Sequence, residues 1–530
     1  MQGKIISIGL KYVIEGVRQY IKPTPILNSL LPGDIVEYES NPITNKLQIK
    51  RLVSRVPFKT VGIVQQNKLI CYPLLPQTFT LTPDLTNFDL TKPTCVVLID
   101  IQGPQIISQW DELSSTRKND WKIILDMYKP IDSLVPDIKD EQLDIKSLYQ
   151  DLTHLDTFNI DPVVSKDFDD AISIDISDSK IYIHIVDAHN QIIQGSEEDN
   201  QAFSKSFTLY LSEHINNILP DNLANDKLSL IISEPRKTVT IEYSLDPNTL
   251  EIDDDKTKIY LGIITIKTRY DYEKFDNKIK LNPNDWLEKF LHTYKLKFNP
   301  INLDTPSLKL EINQETGSIE SYQIKLSELE TSPSHQLITW MMIHTNITVS
   351  KLIDKNSIPQ RYHSKAIYNT CDSNLVFDEL TSSPYINAIL GIKKFRKAIY
   401  SSTELGHDGL KLQSYTHFTS PIRRYFDVII HRIIGGITYY NLPEILEYIN
   451  LREIHIDSLV KLYSRLKILD YLDKNKQRNW IGYWIPQGLI LEDFLFEIKY
   501  YPIDITKLYT QVKIKIVKID WSRLEPEVSF

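Results

Sequence analysis

The chain has 530 residues, 42% of them apolar and 24% charged, and a formal charge of −9. That length predicts roughly 3–4 domains, the composition excludes wholesale disorder, and the acidic balance excludes a broad basic exterior, so a nucleic-acid ligand would need a local basic channel. Three scattered cysteines (Cys71, Cys95, Cys371) fit neither a disulfide framework nor a zinc site, and no stretch resembles a secretion signal or reaches the ~18 apolar residues of a membrane span, which predicts a soluble protein of the reducing cytoplasm with no membrane partner.

Residues 1–57 read as short strands, "GKIISIGLKYVIE", "GDIVEYES" and "KLQIKRLV", separated by the turns "LLPGD" and "NPITN". Residues 58–115 repeat the pattern in "FKTVGIVQQ", "NKLICYPLL", "TCVVLIDI" and "PQIISQW". Two consecutive small β-barrels explain this spacing better than one large sheet, and such barrels serve either as spacers or as nucleic-acid binders. Residues 116–150, with "TRKNDWKIILDMYKP" and "EQLDIKSLYQDL", predict a helical connector. Residues 151–486 place strands first and helices such as "LITWMMIHTNITVSKLI" and "RRYFDVIIHRIIGGI" after them, the order of an α+β domain. Residues 487–530 return to strands in "FLFEIKYY", "LYTQVKIKIVKID" and "PEVSF", an abbreviated third barrel.

Within the α+β domain, "IDPVVSKDFDDAISIDI" sets Asp161, Asp167, Asp169 and Asp170 against the single cation Lys166. Like charges at this density cost free energy unless something positive joins them. "ISIDIS" and "KIYIHIVDA" alternate as strands do, so the aspartates precede a hairpin that can aim them at one point. Hard divalent cations take such oxygen ligands, and two of them can clamp the attacking and leaving oxygens of a phosphodiester. A solvated acidic turn and a calcium loop are the blander readings. The calcium loop lacks its glycine and closing glutamate, since Ala171 and Ile172 follow the aspartates.

A second motif, "SYTHFTSPIRRYFDVIIHRII", places Ser420 as a helix cap and Pro421 at the first helical position. The helix would bury Ile422, Phe426, Ile429 and Ile433, with Arg423 and Arg424 in its first turn. Cations there oppose the helix dipole, and a phosphate resolves the conflict by meeting both the arginine forks and the free N–H groups.

Together, "DPVVSKDFDDA" and "YTHFTSPIRRYFDVIIHR" resemble the two signature blocks of the RNB family, the exoribonucleases of the ribonuclease II and R type. Weaker likeness runs through "IYIHIVDAHNQIIQGSEEDNQAFSKSFTLYL", "ILPDNLANDKLSL" and "FRKAIYSSTELGHDGLKLQSY". The resemblance implies two N-terminal OB (cold-shock-like) barrels, a central α+β catalytic domain and a short C-terminal OB-like domain. It also implies processive 3′→5′ hydrolysis of single-stranded RNA to nucleoside 5′-monophosphates with Mg²⁺, for which Mn²⁺ could substitute, by a chain that can work as a monomer. On this reading Asp161, Asp167, Asp169 and Asp170 hold metal, and Asp169 also acts on the attacking water. Arg423 binds the scissile phosphate and Arg424 the RNA. Tyr272 positions the terminal nucleotide and Tyr210 stacks near the end of the chain, although either tyrosine read alone fits a packed core equally well.

One segment departs from the family. Where adjacent glutamates are expected, "LITWMMIHTN" has Thr339 and Trp340, and a further glutamate position is approached only by Asp470 or Asp473. The alternative is therefore an RNA-binding regulator of the same fold with little or no catalysis.

Overall fold

A computed structural model describes residues 2–8, 11–14, 20–21, 34–41, 46–55, 58–65, 68–71, 80–81, 92, 94–100, 103–110, 117–129, 136, 138–139, 149–281, 285–297, 306–325, 332–352, 358–363, 380–393, 397–403, 405–500, 504–521 and 524–530. The predicted run "GKIISIGLKYVIE" is two strands, Gln2–Ile8 and Lys11–Ile14, paired antiparallel. With Ile35–Asn41, Lys46–Ser54 and Tyr20–Ile21 they form a five-stranded sheet in which Tyr20–Ile21 runs parallel to Lys46–Leu47. Val36 and Tyr38 on one strand, and Leu47 and Ile49 on the next, are buried at the two-residue period of a pleated sheet. A second five-stranded sheet joins Phe58–Gln65, Lys68–Cys71, Thr80–Leu81, Thr94–Asp100 and Gly103–Trp110. Both have the strand count of OB-type folds.

Among the described residues of the connector, helix α1 covers Asp120–Tyr128. Most of "EQLDIKSLYQDL" lies outside the described residues, and its end, Gln150–Asp151, is a strand parallel to Gly262–Ile263.

The central sheet runs in the order Gln150–Asp151, Ile252–Tyr270, Thr157–Ile160, Asp170–Asp175, Lys180–Val186, Pro235–Leu245. The 19-residue strand Ile252–Tyr270 pairs with Thr157–Ile160 on one side and with Pro235–Leu245 on the other, so five strands close on themselves. This closure explains why Asp170–Asp175 and Lys180–Val186 are buried almost throughout rather than alternately, as their sequence predicts. A chain of polar contacts through the core, Thr157–Ser173–His184–Thr240–Thr238, satisfies the polar side chains that this burial encloses.

Around the sheet lie α2 (Glu197–Lys205), α3 (Tyr272–Leu281), α4 (Asp285–Lys297) and α5 (Pro333–Leu352). After them come α6 (Pro384–Ile392), α7 (Tyr425–Ile434) and the 33-residue α8 (Leu442–Lys474). Ser196 caps α2, accepting from the Asp199 N–H at 3.2 Å. Asp199 in turn receives both Nη atoms of the buried Arg432 at 2.8 and 3.2 Å, which locks α7 to α2. Among the described residues no helix is long and apolar enough to cross a membrane.

The C-terminal sheet begins at Asn479, so the predicted boundary at 487 falls inside its first hairpin. It has five strands, Asn479–Ile485, Gly488–Leu491, Phe496–Lys499, Gln511–Asp520 and Glu525–Ser529. "NWIGYWI" and "GLIL" are apolar runs that follow α8 almost directly and are largely buried, so they do not alternate as surface strands would.

A buried charge cluster ties these parts together. The Lys467 ammonium, fully buried on α8, donates to the carbonyls of Arg117 (2.9 Å) and Gly317 (2.7 Å). It also pairs with Glu213 at 3.0 Å and approaches Asp120 at 3.9 Å. Arg117 stands 3.6 Å from Asp120 and lies over the Trp521 ring. Gly317 has φ +71°, and a side chain there would meet the Arg117 backbone at 2.4 Å, so only glycine allows this approach.

Candidate active site

The aspartate stretch is a loop between two neighbouring strands of the closed sheet. Asp161 follows Thr157–Ile160 and donates its N–H to the Tyr270 carbonyl at 3.1 Å. Asp170 opens the next strand, opposite Ile185. Asp169 and Asp170 are buried, Asp161 and Asp167 half-buried. Burial pushes the Asp169 carboxyl up to about 8, against the pull of Arg423 and the Ile422 N–H. It pushes Asp161 up to about 6, against Arg269, with Asp167 adding to the rise. Asp170 is raised well above the carboxylate range by burial first and then by Asp161 and Asp169.

The arginine motif folds differently from the expected helix start. Residues Pro421–Arg424 form a turn, with the Ser420 carbonyl accepting from the Arg423 and Arg424 N–H groups at 3.3 and 3.0 Å. Arg424 is extended (φ −132°, ψ 114°) and bridges to Phe207, so α7 begins only at Tyr425. Ser420 is not its cap. Its own N–H instead donates to Asp427 in the first turn of α7 at 2.8 Å.

This turn meets the aspartates directly. The Ile422 N–H donates to Asp169 Oδ1 at 2.8 Å, and Arg423 Nε lies 3.7 Å from Asp169 Oδ2. Arg423 Nη2 donates to the Ser420 hydroxyl at 2.9 Å, while the side chain stays 36% exposed. The Arg423 carbonyl accepts from the Thr208 N–H at 3.0 Å, and two residues on, the Tyr210 hydroxyl donates to Asp167 Oδ2 at 2.9 Å. Aspartate loop, arginine turn and the Tyr210 segment thus form a closed hydrogen-bonded circuit.

Tyr210 keeps 43% of its surface exposed. Tyr272 opens α3 and stacks on His335 of α5 at 4.2 Å. Burial, then the charges of Asp161 and Asp170, push its hydroxyl up to about 12.

Arg424 Nε and Nη2 both donate to Asp427 Oδ2, at 3.1 and 2.7 Å, which braces the turn. Trp340 is buried among Tyr243, Phe290 and Tyr294 and belongs to the core, whereas Thr339 lies one helical turn beyond His335. Asp470 and Asp473 pair with Lys474 and Lys476 at 2.9 and 2.8 Å. Residues that the motifs did not single out also shape the site: Arg269, Ser229, His335 and Asp427. Only Asp427 had a local signal, three residues beyond Arg424.

Among the described residues, no three His, Cys, Asp or Glu side chains converge into a complete metal-binding group. The donor chemistry nevertheless fits a hard divalent cation. Buried carboxylates outnumber the nearby cations, and Asp161 Oδ2 is buried with no hydrogen-bond partner.

Residues 149–439 match the RNB domain. The chain is 29% identical over 456 residues to ribonuclease R of Mycoplasmopsis pulmonis, covering 74% of this chain and 60% of that protein. It is 25% identical over 427 residues to ribonuclease R of Aquifex aeolicus, covering 70% and 59%. It therefore spans about three-fifths of the length of these relatives. Among solved structures, the apo form of Mycoplasma genitalium RNase R superimposes with a TM-score of 0.78 at 20% identity, over 100% of both chains. Yeast Ssd1, a pseudonuclease, gives 0.68 at 16% identity, over 100% of this chain and 81% of that one. At these identities the two likenesses speak for the fold.

Proposed function

The chain belongs to the RNB domain family, and from that premise we propose that it is a processive, hydrolytic 3′→5′ exoribonuclease acting on single-stranded RNA and releasing nucleoside 5′-monophosphates. The observation that carries this reading is a surplus of buried carboxylates facing one partly exposed guanidinium, Arg423. Asp161, Asp169 and Asp170, with Asp167 beside them, would hold Mg²⁺ or Mn²⁺, and a divalent ion bound there supplies a Lewis acid for the phosphodiester and a water of lowered pKa.

The chain's own groups do the rest. Arg423, braced by Ser420 and Asp169, binds a non-bridging phosphate oxygen and offsets charge as it builds. Asp169, held by the Ile422 N–H and facing Arg423, would act on the attacking water. The bond that breaks joins phosphorus to the 3′-oxygen of the penultimate nucleotide, which leaves as the hydroxyl of the shortened chain. Tyr210 offers an exposed ring face for base stacking, and Tyr272 bounds the site for the terminal nucleotide. Contacts to the 2′-hydroxyl would select RNA over DNA.

The test is incubation with 5′-labelled single-stranded RNA and matching DNA, in Mg²⁺ or in chelator. Nucleoside 5′-monophosphates released from RNA and abolished by chelator are expected. RNA bound tightly without products would instead support the regulator, and equal loss of DNA would remove the claim of RNA specificity.

A further inference from the structure

The aspartate loop has little of its own to hold it in shape. Between Asp161 and Asp169 it contains no strand or helix, and Val163 and Val164 are 72% and 80% exposed, so apolar burial anchors it only at Phe168. Arg269, near the end of the strand Ile252–Tyr270, makes up the deficit. Its Nη2 donates to the carbonyls of Pro162 (3.2 Å), Val163 (3.3 Å) and Ser165 (3.2 Å). Its guanidinium also covers the Phe168 ring, 4.3 Å from the centroid. The buried Ser229 hydroxyl donates to the Lys166 carbonyl at 2.7 Å and accepts from the Phe168 N–H at 3.0 Å. The carbonyls gathered on Arg269 belong to the residues immediately after Asp161, so its position sets where that carboxylate stands relative to Asp169 and Asp170.

We propose that Arg269 is a positioning residue, a strut that holds the aspartate loop in the conformation that aims its carboxylates at Arg423. It governs cation binding and the chemical step rather than the hold on RNA. The inference rests on the exoribonuclease reading for its kinetic arm only.

The experiment compares Arg269→Ala and Arg269→Lys with the unmodified chain, after thermal melts confirm folding. Mn²⁺ affinity is measured by titration calorimetry, RNA affinity by fluorescence anisotropy in chelator, and kcat and KM with single-stranded RNA. Mn²⁺ binding is expected to weaken about tenfold or more in Arg269→Ala, as when a supporting partner of a metal ligand is lost. kcat should fall by about tenfold to a hundredfold, while KM and RNA affinity stay within about threefold. Methylguanidinium should restore part of both losses in Arg269→Ala, and Arg269→Lys, which keeps the charge but loses the fork, should lie between. Unchanged Mn²⁺ affinity and kcat would overturn the proposal, as would a loss confined to RNA affinity. If the unmodified chain degrades no RNA, the exoribonuclease reading fails, and the calorimetric comparison still decides the role of Arg269.

Discussion

Two buried clusters of charge lie in this molecule, and they are built on opposite accounts. Around Lys467, two cations (Lys467 and Arg117) face two anions (Glu213 and Asp120), and main-chain carbonyls take up the remaining ammonium protons. At the loop of residues 161–170, four carboxylates face two guanidiniums, one of which is occupied with main-chain carbonyls. Burial alone therefore does not mark a working site. Balance joins helices, hairpin and terminal sheet, whereas imbalance stores a demand for something positive from outside.

The comparison is broken most sharply at Asp169. Asp169→Asn should lower RNA hydrolysis by about 10²–10⁴-fold, measured as monophosphate release, while the melting temperature holds or rises because one repelling carboxylate has gone. The same kind of change in the balanced cluster should do the reverse. Lys467→Met leaves Glu213 without its cation and Asp120 with Arg117 alone, and should cost about 3–5 kcal/mol in urea unfolding, with activity per folded molecule retained. If Lys467→Met instead abolished activity without loss of stability, the distinction would be wrong.

The last test is one of pH. Burial raises the Asp120 carboxyl from its ordinary 3.8 to about 7, against Arg117 and Lys467. The folded state therefore binds this proton more tightly, so the contribution to stability is full below about pH 4 and is lost as pH rises through about 7. Asp120→Asn should flatten the unfolding free energy over that window, by at most about 1.4 kcal/mol per pH unit. An unaltered slope would show that Asp120 does not titrate there.

The chemistry of the site was legible because its donors are close in sequence: the four aspartates span ten residues and the arginine turn is a single motif. The separate fates of Arg423 and Arg424 were not legible. They depend on Asp427 and on an extended residue paired with Phe207, more than 200 positions away. Arg269 was hidden for the same reason. It follows the loop that it supports by about a hundred residues, and only the closed sheet brings the two together. Trp340 illustrates the converse error. A position expected to face the site turned out to fill the core, because a tryptophan at that turn of α5 finds Tyr243, Phe290 and Tyr294 within reach. The terminal sheet was under-read because strands buried on both faces lose the alternation that identifies them.

The circuit through Asp169, Ile422, Arg423, Thr208, Tyr210 and Asp167 has a consequence for movement. Three segments tied end to end constrain one another, so a swing of any one breaks hydrogen bonds to its neighbours. If RNA is shortened here one nucleotide at a time, the translocating part is the RNA. In that case the protein would act as a gauge past which each new 3′ end is drawn, with uniformity of step set by the frame rather than by any stroke of the enzyme.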